Sequence, residues 1–299
     1  MNNNKGSAQT GVQRKRVSIF RRKLADFSFL VPALALFIMI IIIPFFEGVR
    51  LSFTNWNGIR PTYSYVGFQN YIRLFTDKTF SNATVNTVVF TVIATIFPNI
   101  LGLILALLLQ RSTRFNNFCR TIAFMPYCLS LVLVSFTWRY IYSDVFYGIF
   151  GVSNPLSSST WVMVGISFIC VWATTGYCMV IYIAGLQGIP ADYYEVAQIE
   201  GASPWQTFKH VTLPLIVPSI TTNFTLLIGW NMKVFDYPMA ATGGGPGRSA
   251  ETVAMLIYNN LFKYYKAGYG QAMAVVFTVA VFIISGLTAW FFRSKEVEM

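Results

Sequence analysis

Residues 79–110 read TFSNATVNTVVFTVIATIFPNILGLILALLLQ, a stretch without a single Asp, Glu, Lys or Arg. A helix needs about 20 mostly apolar residues to cross roughly 30 Å of hydrocarbon, so this run can span a bilayer with residues to spare. Working outward from it, five more uncharged runs appear, at 27–46, 121–138, 145–191, 210–232 and 267–292. The whole chain is 55% hydrophobic and 11% charged, where a soluble domain carries about 25% charged residues. That pattern excludes a soluble enzyme, a nucleic-acid binder and a disordered chain. The chain reads as an all-α, polytopic membrane protein.

Six runs imply six transmembrane helices, near 27–46, 84–109, 121–138, 161–186, 213–232 and 273–292. The 145–191 run is long enough for two. Its first third is turn-like, however, with Gly148, Gly151 and then Ser153-Asn154-Pro155-Leu156-Ser157-Ser158-Ser159-Thr160, so one span starting at Trp161 is expected. Trp138, Trp161 and Trp290 stand at predicted span ends, where indole rings favour the headgroup level. Pro98, Pro214 and Pro218 are candidate hinges, because proline removes an intrahelical hydrogen bond. The first run leads into Pro44-Phe45-Phe46-Glu47 with no small-x-small cleavage site, so it is expected to remain as the first span.

The net charge of +11 is an orientation signal rather than a polyanion-binding one. Seven of the 22 basic residues lie within residues 5–23, including Arg14-Lys15-Arg16 and Arg21-Arg22-Lys23, which places the N-terminus in the cytoplasm. Six crossings return the C-terminus to the same side. The expected organisation is a basic cytoplasmic tail at 1–26, a transmembrane domain at 27–292 and a short cytoplasmic tail at 293–299. Cys119, Cys128, Cys170 and Cys178 show no Cys-x-x-Cys spacing and read as small buried hydrophobes. A single His210 rules out a multi-histidine metal site.

By this parity the segment 187–212 is cytoplasmic, yet it holds one basic residue, Lys209, against Asp192, Glu195 and Glu200. It reads as two short capped helices. Asp192 and Glu195 have the spacing of a capping box, Gly201 is placed to end the helix in the left-handed conformation, and Ser203-Pro204 with Gln206 offers a second cap. The second helix is expected to run through Trp205 to His210. Helices that rest on lipid are usually rich in Lys and Arg; this acidic hairpin favours docking to a protein.

The stretch Glu195-Val196-Ala197-Gln198-Ile199-Glu200-Gly201-Ala202, followed after eight residues by Val211-Thr212-Leu213-Pro214, resembles the EAA motif of ABC importer permeases. Val196 stands where that family has Ala, and Glu200 where it usually has Asp. Leu51-Ser52-Phe53-Thr54-Asn55-Trp56-Asn57-Gly58, Val66-Gly67-Phe68-Gln69-Asn70-Tyr71, Asn86-Thr87 and Thr242-Gly243-Gly244-Gly245-Pro246-Gly247 resemble the carbohydrate-type permeases, in particular the maltose-type F subunit. The resemblance implies the type I ABC importer permease fold in the cell membrane. It implies a second permease subunit, a cytoplasmic ATPase dimer and an extracytoplasmic solute-binding protein as partners. Its coupling loop, 187–214, would dock on the ATPase, with Glu195 as polar anchor, Glu200 as the acidic step and Gly201 as the turn. Ala197 and Ala202 would permit close packing, and Leu213-Pro214 would complete the motif.

A substrate path needs polar and aromatic groups at mid-membrane, because such groups are costly against lipid. Trp172, Thr174, Thr175 and Tyr177 in the fourth span, and Asn223, Thr225, Trp230 and Asn231 in the fifth, meet that need. In the resembled family these two spans line the sugar site, which puts Tyr177, Trp230 and Asn231 first. The same Thr and Asn side chains are also ordinary glue between membrane helices. No cofactor is expected on this chain: Gly243-Gly244-Gly245-Pro246-Gly247-Arg248-Ser249 lacks the lysine of a P-loop, so ATP and Mg²⁺ would be bound by the partner ATPase. Two other readings stay open: a permease for a glycerol-phosphate or other polar solute, and a secondary transporter. The second would need acids inside the spans, and the six stretches have none.

Overall fold

The computed structural model describes Phe27 and residues 30–295. The basic cluster that orients the chain, and the last four residues, lie outside the described residues. The regular structure among the described residues is helical, apart from one isolated bridge between Thr54 and Tyr65. Its elements are α1 Leu30–Ser52, α2 Gln69–Thr76, α3 Lys78–Leu109, α4 Arg114–Cys128, α5 Leu131–Phe150, α6 Val162–Gln187, α7 Ala191–Ile199, α8 Pro204–Leu215, α9 Val217–Asn231, α10 Asp236–Thr242, α11 Val253–Phe262 and α12 Ala267–Arg293.

Four helices, α1, α3, α6 and α12, are straight candidates for membrane spans; the pairs α4–α5 and α8–α9 complete the six, bent by 98° and 61°. The expected third span at 121–138 is therefore corrected. Pro126 closes α4 in a 3₁₀ turn, Leu129 and Ser130 are extended, and the chain leaves at nearly a right angle. α5 then continues to Phe150, past the expected span end at 138 and into the turn-like stretch. The helices also start earlier or end later than the uncharged runs, so Glu47, Arg50, Lys78, Arg139, Asp144 and Arg293 lie within them. The single span from Trp161 agrees with observed α6. α3 continues through Pro98 as one helix, whereas Pro214 and Pro218 flank the break at Ile216.

The core is the pairing of α3 with α6. Gly102 faces Cys178 so closely that a Cβ there would sit 2.6 Å from the Cys178 Cβ. The Tyr182 hydroxyl donates to Asn99 Oδ1 at the same interface. Around it Phe90, Ile166, Ile169 and Trp138 pack toward one end, and Ala106, Met179, Leu186 and Ile216 toward the other. Trp138 is thus a core residue, packed on Tyr142, Phe168 and Trp172, and not the interfacial anchor its position suggests; Trp161 and Trp290 are exposed. Cys170 and Cys178 are buried as expected, but Cys128 is exposed and Cys119 half-buried.

The end opposite the 187–214 loop is tied together by side chains. Asp77 caps α3 by accepting the Thr79 N–H at 2.8 Å, and it accepts the Tyr269 hydroxyl of α12 at 2.7 Å. Partial burial pushes its pKa up, but these hydrogen bonds outweigh it and hold the carboxyl below its ordinary value. A depressed carboxyl stabilises the fold above its unfolded value and loses that contribution as pH falls through the folded one. Asp77→Asn is therefore expected to lower the unfolding midpoint of the solubilised protein at neutral pH. The gap to wild type should shrink as the pH falls below about 4. A pH-independent gap would contradict this.

Coupling loop and candidate substrate path

The loop is built much as its residues dictate, with one cap misplaced. α7 begins at Ala191 with Pro190 as N-cap and no side-chain cap. Asp192 therefore sits inside the first turn, where its charge favours the helix dipole, and the expected Asp192–Glu195 capping box is not formed. Proline at 190 has the fixed φ that suits the entry, so the helix starts two residues sooner. At the other end Gly201 has φ +72°. Its N–H bonds to Gln198 O at 3.1 Å and the Ala202 N–H to Ala197 O at 2.9 Å, the paired bonds of a Schellman motif.

The second cap forms in full. Ser203 Oγ accepts the Gln206 N–H at 3.3 Å and Gln206 Oε1 accepts the Ser203 N–H at 2.7 Å. The helix it starts does not stop at His210 but runs to Leu215, with a π-helical stretch at Phe208–Thr212. Tyr194 reaches across to Thr212, their hydroxyls 3.4 Å apart, so α7 is fixed against α8.

Glu195 and Glu200 are exposed, and so are Val196, Ile199 and Trp205 beside them. Ala197 is 7% exposed: it faces its own chain, which corrects the reading of its small side chain as a surface for close approach by another protein. Ala202 is half-buried, and Leu213 and Pro214 are half-buried where α8 meets the break. Exposed Val196, Ile199 and Trp205 thus give the hairpin an apolar surround beside its two acids.

The break at Leu129–Ser130 opens a cavity of about 470 Å³ between α4–α5, α6, α9 and α10. Thr174, Trp230 and Asn231 line it as the sequence predicts. Tyr177 joins through stacking: its ring lies 4.9 Å from Tyr127 and 5.5 Å from Trp230. Asn231 donates to Ala94 O at 2.9 Å and to Thr95 Oγ1 at 3.1 Å on α3, with its oxygen toward Cys170. It therefore ties helices together while standing in the cavity wall. Trp172 is not part of this lining; its ring packs edge-on against Trp138. Asn223 is fully buried and bonds weakly to Cys178 O at 3.4 Å.

The cavity also takes Tyr127, Lys233, Asp236 and Tyr237, none of which the sequence singled out. Tyr127 lies at a bend that hydropathy does not show, and the other three follow the fifth span. Lys233 and Asp236 bring opposite charges to the same wall. The Tyr237 hydroxyl is buried with no hydrogen-bond partner among the described residues.

Comparison with known proteins agrees with the architecture. Residues 98–297 match the family described as binding-protein-dependent transport system inner membrane component. AmyD of Thermoanaerobacterium thermosulfurigenes, which bears the name of a starch degradation products transport system permease protein, is 32% identical over 95% of this chain and 99% of its own. The multiple sugar-binding transport system permease protein MsmF of Streptococcus mutans is 31% identical over 92% and 97%. Among solved structures, a bacterial ABC transporter involved in the import of alginate superposes with a TM-score of 0.80 at 21% identity, covering 94% of this chain and 99% of that one. At that identity the likeness speaks for the fold. Six candidate spans, an EAA-type hairpin before the fifth of them and a family match over two thirds of the sequence lead to one assignment: the chain belongs to the binding-protein-dependent transport system inner membrane components, the multi-pass permeases of ABC importers.

Proposed function

We propose that this chain forms one half of the translocation path of an ATP-driven importer for oligosaccharides or related glycosides. A second permease supplies the other half, an ATPase dimer binds the 187–214 loop and carries the ATP and Mg²⁺, and a solute-binding protein delivers the cargo. One observation carries the reading. The helix that leaves the coupling loop, α8, passes through a 61° break into α9, and α9 ends in Trp230 and Asn231 in the cavity wall. Movement of the loop by a docked ATPase is thereby transmitted to the cavity lining.

The cavity chemistry supports a neutral, hydroxyl-rich solute. The Tyr127–Tyr177–Trp230 stack offers aromatic faces to the apolar faces of sugar rings, while Thr174 and Asn231 present hydrogen-bonding groups. Lys233 and Asp236 offset each other, so the lining carries no excess positive charge for a phosphorylated solute. The sugar-related names of several relatives support the same class.

Trp230→Ala removes the half-exposed end of the stack. An aromatic pair contributes about 0.5–1.5 kcal/mol beyond its buried area. The half-saturating solute concentration for uptake is therefore expected to rise roughly two- to tenfold with the assembly intact. Unchanged uptake kinetics across a panel of oligosaccharides would place the path elsewhere.

A further inference from the structure

The short helix α2 presents its largest apolar side chains away from the protein. Phe68 at its N-cap, Ile72 and Phe75 follow the i, i+4, i+7 spacing of one helix face, and they are 67%, 67% and 78% exposed. The opposite face is firmly held. Leu74 is 1% exposed in a cluster with Ala83, Val253 and Tyr269. Asn70 Nδ2 donates to Ser52 O at 2.8 Å and Thr54 O at 2.9 Å. The Tyr71 and Ser52 hydroxyls are 2.6 Å apart, and the Arg73 guanidinium lies 4.7 Å over the Tyr269 ring. The outward row is thus fixed in place by its own helix's other side.

The level of this row follows from its anchors. Ser52 is the last residue of α1, Tyr269 lies in the first turn of α12, and only Asp77 separates α2 from the start of α3. All three spans leave the hydrocarbon at this end, so the row is continuous with their lipid-facing surface. Arg73 is the one charged residue in Gln69–Thr76; Asp77 and Lys78 follow the helix, and Arg50 at the adjoining end of α1 is paired with Glu47. Trp56, Tyr63 and Tyr65 form an aromatic group beside Arg50, whose guanidinium donates to the Tyr63 hydroxyl at 3.3 Å, as at membrane interfaces. The contrast with the acidic coupling hairpin is direct: an apolar face flanked by cations and aromatics suits phospholipid.

We propose that α2 is an interfacial anchor whose Phe68–Ile72–Phe75 row embeds in the outer leaflet, at the boundary between headgroups and acyl chains. The occupant of this face is lipid, rather than a partner subunit or the solute-binding protein.

Nitroxide labels test it. Cys119 and Cys128 are replaced by Ser, the buried Cys170 and Cys178 are left, and single cysteines are placed by Gln69→Cys, Ile72→Cys, Phe75→Cys and Thr76→Cys. The assembly, with its partner subunits, is reconstituted in phosphatidylethanolamine–phosphatidylglycerol vesicles. Collision rates with oxygen and with a water-soluble nickel chelate are then measured. The proposal expects an oxygen-to-nickel ratio several-fold higher at 72 and 75 than at 69 and 76. Equally low ratios at all four sites would mean a helix in water. Labels at 72 and 75 shielded from both reagents would mean a protein partner covers the row. Either outcome overturns it.

Discussion

Glu195→Lys is expected to abolish ATP-coupled uptake while the permease still inserts and assembles. Glu195 is exposed on α7, and the ion pairs among the described residues, Glu47–Arg50 and Glu251–Arg248, do not include it. Its carboxylate is therefore free to meet a group on another protein. Exposed Val196 and Ile199 on the same short helix supply the apolar surround that would exclude water on docking. Reversing a charge that becomes buried in such an interface leaves an uncompensated ion, which costs about 3–5 kcal/mol. That corresponds to roughly two to four orders of magnitude in docking, enough to reduce uptake to background. Glu195→Gln, which keeps the shape and a hydrogen bond, should retain part of the activity. The check is uptake together with co-purification of the ATPase. Wild-type transport by the Lys variant would remove Glu195 from the coupling role.

Gly176→Val is expected to be the most damaging substitution inside the membrane domain. A Cβ at Gly176 would overlap the Ala123 carbonyl and approach the Phe124 Cα. Both obstacles are backbone, so no side chain can swing away. The end of α4 would have to lift off α6, carrying Tyr127 away from Tyr177 and opening the cavity wall. Over-packing a tight core usually costs about 1–3 kcal/mol, and here the upper end applies because main chain must move. A lower unfolding midpoint and a loss of uptake should appear together. Gly229→Ala is the contrasting case. The nearest atom to a Cβ there is Ser285 Oγ at 3.9 Å, so that variant should behave like wild type. Equal tolerance at both glycines would contradict the packing described for the break.

These two sites also show what was readable from the residues. The number of spans, the helix from Trp161, the left-handed turn at Gly201 and the Ser203–Gln206 box depend on local properties. Run length, backbone freedom and side-chain spacing are visible in one dimension. The break at Leu129–Ser130 is not, because residues 121–138 are uniformly uncharged. What permits the bend is Gly176, some fifty residues away on α6, which lets the Ala123 carbonyl approach. The core position of Trp138 and the inward turn of Ala197 were missed for the same reason: burial is decided by which helix lies opposite. In the cavity, Thr174 and Trp230 could be picked by the cost of polar and aromatic groups in lipid. Tyr127 and Tyr237 enter it only through the bend and through α10. Asn231 meets both readings, since it bonds to α3 and lines the cavity.

The central claim is that energy enters this permease through the 187–214 hairpin and leaves through α9 as a change in the cavity. The most direct measurement is solute accumulation in vesicles holding the complete assembly, with ATP supplied on the coupling-loop side and ion gradients collapsed. The account predicts accumulation that requires ATP and the ATPase subunit and disappears in Glu195→Lys. Accumulation that appears without ATP once a proton or sodium gradient is imposed in its place would contradict it.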